Sequence, residues 1–155
     1  MRRPATSSAA GLRRAITEAV EAASSQDPDR FALAADRLAV EDQQRLVLVQ
    51  AWVLRALLEQ LHPDGLSGAD AQDVLRHCLL STAQWRAEAD PGVLVLVLTG
   101  ALGLADPDDA TATAALGSAA ALLIADLLSR AGGPLTGYLD AALAELERAE
   151  TIEMP

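Results

Sequence analysis

Apolar residues recur along this chain at helical spacing, and acidic residues paired with prolines punctuate them. Asp27-Pro28, Asp90-Pro91 and Asp106-Pro107 each join a good N-cap to a proline suited to the first helical position. Gly65, Gly68 and Gly132-Gly133-Pro134 supply further breaks. These marks predict about seven helices. The first spans 9–24, with Leu12, Ile16, Ala19, Val20 and Ala23 on one face. The second spans 29–40 and turns Phe31, Leu33 or Ala34, and Leu38 inward. The third spans 41–61. Its polar strip, chiefly Arg45, Arg55 and Glu59, is so narrow that most of its surface should be buried. The fourth spans 69–89, with Ala71, Val74, Leu75, Cys78, Leu79, Thr82 and Trp85 inward and Asp70, Asp73, His77, Ser81, Gln84 and Glu88 outward. The sixth spans 108–131, is rich in alanine and carries no charge from Ala110 to Ala125. The seventh spans 135–150. Its Leu135, Leu139, Ala142, Leu146 and Ala149 alternate spacings of four and three, a short heptad-like stripe.

The fifth segment, GVLVLVLTGALGLADPDD from Gly92 to Asp109, admits three readings. Val93–Leu98 followed by Thr99-Gly100-Ala101-Leu102-Gly103 resembles the phosphate loop of short-chain dehydrogenases. In that motif, glycines let backbone amides reach a pyrophosphate. The third glycine is missing, because Asp106 occupies its place and would repel phosphate. No further strands follow to build a parallel sheet. A membrane span fails on length, since the apolar run of 93–105 falls short of the roughly 20 residues needed. Together with 110–125 it could form an apolar hairpin similar to those of pore-forming colicins, but nothing else in the chain resembles them. The reading that survives is a helix near residues 91–105, apolar all round and central in the bundle. Gly100 and Gly103 would then mark a close backbone crossing, with Gly117 and Ala121 as partners.

The pattern therefore predicts an all-α fold, a single-domain bundle of six to seven helices over 9–150. Residues 1–8 form a flexible N-terminal segment and 151–155 a loose tail. Composition agrees. The chain has 155 residues, 51% hydrophobic and only 3% aromatic. Alanine and leucine, both strong helix formers, dominate. All 12 basic residues are arginine, and lysine and asparagine are absent. Both missing residues have AT-rich codons, so a GC-rich bacterial genome is the expected source. A net charge of −10 argues against a nucleic-acid backbone or an anionic lipid surface as partner. Cys78 stands alone, so no internal disulfide can form, which fits a reducing cytoplasm. Arg2 and Arg3 do not open a signal peptide, because Arg13 and Arg14 interrupt the place of its apolar core.

Candidate chemistry is sparse. His77 shares a helix face with Asp73 and Ser81, and with Glu88 further on. Asp73, His77 and Glu88 are the only candidate ligands or acid–base groups, and a solvated polar face explains them as well. Cys78 sits about 100° around the helix from His77, which disfavours a nucleophile–base pair, so it reads as a core residue. His62 in LHPDG suits a helix C-terminus. Asp106, Asp108 and Asp109 do not make a calcium loop, because Ala110, Thr111 and Gly117 fill positions that need ligands or a glycine. HPDGLSGAD fails likewise, with Gln60 first and Ala71 last. Trp52 and Trp85 read as core anchors. No cofactor, metal or catalytic site is expected. The expected function is non-enzymatic protein–protein association, as a homodimer, through the stripe of Leu135, Leu139, Ala142 and Leu146 and through the third helix with Trp52. The alternative is an apolar small molecule bound between the third, fifth and sixth helices.

Overall fold

The computed structural model describes residues 9–85, 89–103 and 113–153. Among these there are seven helices and no strand: α1 (Ala9–Ser24), α2 (Pro28–Ala39), α3 (Gln43–Leu61), α4 (Gly68–Ala83), α5 (Pro91–Ala101), α6 (Thr113–Ala131) and α7 (Leu135–Glu153). The fold is an all-α bundle. The cap expected at Asp106-Pro107, together with Asp108, Asp109, Glu88 and the N-terminal arginine pair Arg2-Arg3, lies outside the described residues. The tail expected after Glu150 is helical through Glu153.

The caps form as their chemistry requires. The Asp27 carboxylate accepts from the Arg30 amide and Pro28 opens α2. Asp90 and Pro91 repeat the arrangement at α5, where Asp90 accepts from the Gly92 amide at 2.8 Å. Asp42 caps α3 through the Gln44 and Arg45 amides. At α4 a reciprocal pair does the same work. The Ser67 hydroxyl accepts from the Asp70 amide and the Asp70 carboxylate accepts from the Ser67 amide. Hydrogen bonding to the carboxylate by the Ser67 amide, and then by its hydroxyl, holds the Asp70 carboxyl below its ordinary value.

The turn from α1 to α2 is tight. The Asp27 amide reaches back to Ala22 and the Gln26 amide to Ala23, closing α1 in a Schellman arrangement. The residue forced into left-handed backbone is Gln26, at φ 56°. Glycine would sit there freely, whereas a side chain costs about 1–2 kcal/mol. Glu18–Arg37 and Glu21–Arg30 ion pairs lash the two helices together along their exposed edge.

The centre of the bundle is α6. It packs against α1, α2, α3, α4 and α5, and every residue from Ala119 to Leu127 is buried. The apolar helix expected over 91–105 is present as the shorter α5, which lies on α6 and α3 at the periphery. Its Leu94, Leu98 and Ala101 are buried, while Val95 is exposed and Leu96 and Val97 are half-buried. Charge-free sequence thus marked apolarity, not depth. Gly103 does not make a helix crossing. It lies just beyond the end of α5 at φ 78°, in the conformation that stops a helix. The close crossing is at Gly117 of α6, which meets α3 and α2 instead. A Cβ there would stand 3.0 Å from Leu46 Cδ2 and 3.9 Å from Leu38 Cβ. Beside it, the buried Gln50 of α3 donates to the Gly117 carbonyl at 3.0 Å.

The heptad-like stripe of α7 faces inward. Leu139, Ala142 and Leu146 are buried, and Leu135 is packed against the core. The facing helices are α3 and, to a lesser extent, α1 of the same chain. Arg45–Glu150, Tyr138–Gln60 and Arg13–Asp140 contacts clamp α7 in place. These four stripe residues are therefore unavailable as the surface for a partner. A four-and-three stripe seats on any facing helix, and the sequence does not say whose.

Candidate functional site

Two features stand out from the ordinary packing. The first is a buried carboxylate. Asp126 lies in α6, and only 5% of its side chain is exposed. A carboxylate so desolvated needs charged or hydrogen-bonding partners. It has two. His77 of α4 brings Nδ1 within 2.8 Å and 2.9 Å of its two oxygens, and Arg130, one turn further along α6, donates from Nη2 at 3.2 Å. The bond to His77 joins two helices 49 positions apart in sequence. The Ser129 hydroxyl donates to the Asp126 carbonyl at 2.7 Å.

Cys78 sits beside this group, fully buried. Burial above all, and then the Asp126 charge, push its thiol up to about 12 from 9.0, against smaller opposing effects of Thr82 and Arg130. A buried, protonated thiol is a weak nucleophile, and Cys78 lies in the core as its sequence position indicated. Asp73, the partner expected for His77, instead meets Arg76 at 3.5 Å on the surface. Asp126 could have been found from sequence. It is the single charged residue in the apolar run from Ala110 to Leu128, and a lone charge on a buried helix must have a partner elsewhere.

Beside the carboxylate lies a cleft of about 160 Å³. Asp126, Trp85, Thr82, Ser81, Ser129 and Gln26 line it, with Ser24 and three apolar side chains completing the wall. Trp85 is buried, as its sequence context suggested, and its ring meets Phe31 edge-on with centroids 5.6 Å apart.

The second feature is apolar. Val47, Leu48 and Trp52 of α3 are exposed, Trp52 at 42%, and on α5 Val95 is exposed at 43%. The third helix buries Leu46, Val49, Gln50, Val53, Leu54, Leu57 and Leu58, but Trp52, expected in the core, lies on the face that stays exposed. A groove of about 170 Å³ runs between α3, α5 and α6, walled by Leu48, Ala51, Leu96, Val97, Gly100 and Leu116 among others. Arg55 frames the patch. Its Nε donates to the Ala101 carbonyl at the end of α5 at 3.1 Å, and its guanidinium lies 5.8 Å from the centre of the Trp52 ring. The cation thus ties α5 to α3 and holds the indole in one orientation. His62 ends α3 through its backbone amide, which donates to Leu58, whereas its Nδ1 is buried without a partner among the described residues.

No group of three or more potential metal ligands occurs among the described residues, and no helix there is long and apolar enough to cross a membrane. No family model, curated protein or solved structure matches this chain.

Proposed function

We propose that this protein is a non-enzymatic association module that pairs with a second copy of itself through the apolar face of α3 and α5, in the cytoplasm of a bacterium. The observation that carries the reading is the set Val47, Leu48 and Trp52, exposed on α3, where Val47 and Leu48 wall an apolar groove shared with α5. Burying such side chains contributes about 1.5–3 kcal/mol each relative to leaving them in water. A two-fold interface needs a surface that complements itself. Here the ridge, Trp52 held by Arg55, and the groove beside Ala51 stand next to one another on α3, so each copy offers both halves of the contact. Two chains of net charge −10 repel, and among the described residues the groove walls carry no acid, so this is a face where they can meet. The same charge speaks against nucleic acid as a partner.

The test is sedimentation velocity across a dilution series, with Leu48→Glu and Trp52→Arg as variants. The expected result is a dimer that both variants convert to monomer while the helical content stays unchanged. A wild-type chain that is monomeric at every concentration overturns the proposal.

The groove between α3, α5 and α6 also supports a second reading, an apolar small molecule bound there. Its volume approaches that of cavities of about 150 Å³ that take up benzene. Native mass spectrometry separates the two readings, since a retained ligand adds mass to the monomer.

A further inference from the structure

The cleft beside Asp126 is built from helix ends. Ser24 is the last residue of α1, Ser81 and Thr82 lie in the last turn of α4, and Ser129 lies in the last turn of α6. Three C-termini therefore open on one small volume. Each carries roughly half a negative charge, and the effect is strongest within the last turn. Among the described residues no arginine or histidine belongs to the lining. Arg130 and His77 hold Asp126 from outside it, so the described lining sets no positive charge against the helix ends.

The polar lining also offers acceptors, with Asp126 its one carboxylate among the described residues. The hydroxyls of Ser24, Ser81, Thr82 and Ser129, the Gln26 amide oxygen and Asp126 all carry lone pairs. A carboxylate has about four lone-pair positions, and His77 and Arg130 leave some of them unused. Trp85 adds an aromatic wall, and indole is the side chain that best attracts a cation to its face. Gln26 has a place in the lining although its backbone, at φ 56°, would be relaxed with glycine.

We propose that this cleft binds a small organic cation, a primary ammonium with about six non-hydrogen atoms or fewer, whose nitrogen donates to Asp126 while its carbon chain lies along Trp85. The size follows from the volume of about 160 Å³, close to that of a cavity that admits benzene. The charge follows from the Asp126 carboxylate with the three helix ends beside it, and the ammonium from the acceptors that the carboxylate and the hydroxyls offer.

The experiment is an NMR titration of the ¹⁵N-labelled full chain with ethanolammonium chloride up to about 0.1 M, a range suited to millimolar affinity. Ethylene glycol is the neutral match and sodium chloride the ionic control. The expected result is saturable shifts at the Trp85 indole N–H, the Gln26 side-chain amide and the Ser81 amide with ethanolammonium alone. Asp126→Asn should weaken binding about tenfold, and Gln26→Gly about threefold. Gln26→Gly relieves the turn, so its weaker binding cannot come from unfolding, and it decides the matter if Asp126→Asn does not fold. The proposal is overturned by an absence of saturable shifts at this cleft. An equal response to ethylene glycol, which would make it a neutral polyol pocket, or undiminished binding by Gln26→Gly overturns it as well.

Discussion

Removing the imidazole at position 77 tests whether the Asp126 cluster is a structural tie or a surface ornament. His77 is half-exposed, and by exposure alone His77→Ala would be an ordinary surface change within about 0.5 kcal/mol. The partner makes the difference. Asp126 is 95% buried, and a hydrogen bond to a charged group contributes about 1.5–3 kcal/mol. Water can enter on the exposed side of His77 and replace part of the bond, which places the loss near the lower figure, about 1.5 kcal/mol. For a chain of 155 residues that corresponds to a fall in Tm of about 3–6 °C. Urea unfolding should show a lower midpoint with an unchanged slope. The same substitution in an Asp126→Asn background should cost less than about 0.5 kcal/mol, because the buried anion is gone, leaving a coupling of about 1 kcal/mol. The exposed Arg76–Asp73 pair is the control, and Asp73→Ala should have no measurable effect. Equal costs for His77→Ala with and without the Asp126 carboxylate would refute the reasoning.

Two further outcomes are expected. Gly117→Ala gains about 1 kcal/mol of helix propensity but drives a methyl to 3.0 Å from Leu46, which is fully buried and has little room to move. Overpacking costs about 1–3 kcal/mol, so a net loss of about 1 kcal/mol should appear in thermal unfolding, and a rise in Tm would mean that Leu46 relaxes. Native Cys78 should resist iodoacetamide at pH 8 and react once the chain is unfolded. Its pKa is raised, to about 12 from 9.0, so its contribution to stability is complete below pH 9. That contribution is lost as pH rises from about 9 towards 12, where the unfolded thiol ionises first. Rapid alkylation of the folded chain would contradict the buried, protonated thiol.

The helices were legible because their local chemistry is consistent. Ala9–Ser24 appears with the bounds and the buried face that periodicity and capping indicate, and the Asp-Pro caps at positions 27–28 and 90–91 form as read. Depth was less legible. The valine–leucine run of α5 looks more buried than the alanines of α6, yet α6 occupies the centre. Side-chain hydrophobicity rises with size, whereas a central position among five helices demands small side chains. The candidate site was legible only in half. His77 was visible as a polar residue on α4, but its nearest acid in sequence, Asp73, is solvated, and its partner is 49 positions away. No spacing rule within one helix connects them. Trp52 was misread as core for a related reason. Its helix is apolar nearly all round, and nothing in such a pattern says which side lacks a neighbour.

The small residues of α6 link these findings. Gly117, Ala119, Ala120, Ala121 and Ala125 keep the central helix thin, so that α1, α2, α3, α4 and α5 can all reach it. A thin centre draws its neighbours inward on one face each, but supplies no long side chains to cover their far faces. On α3 and α5 the far faces are apolar, and Val47, Leu48, Trp52 and Val95 are left in water. Close approach has a second consequence at the other end of α6. It brings the last turns of α1 and α4 to Asp126, so the one acid on the central helix sits where helix ends already concentrate negative potential. Such a carboxylate is tolerable only with positive or donor groups at hand, which is what His77 and Arg130 provide. The apolar face and the polar cleft thus arise from the same cause, a core organised around a helix of small side chains. A substitution that thickens α6, such as Gly117→Ala, should strain the contact with α3 that supports the apolar face.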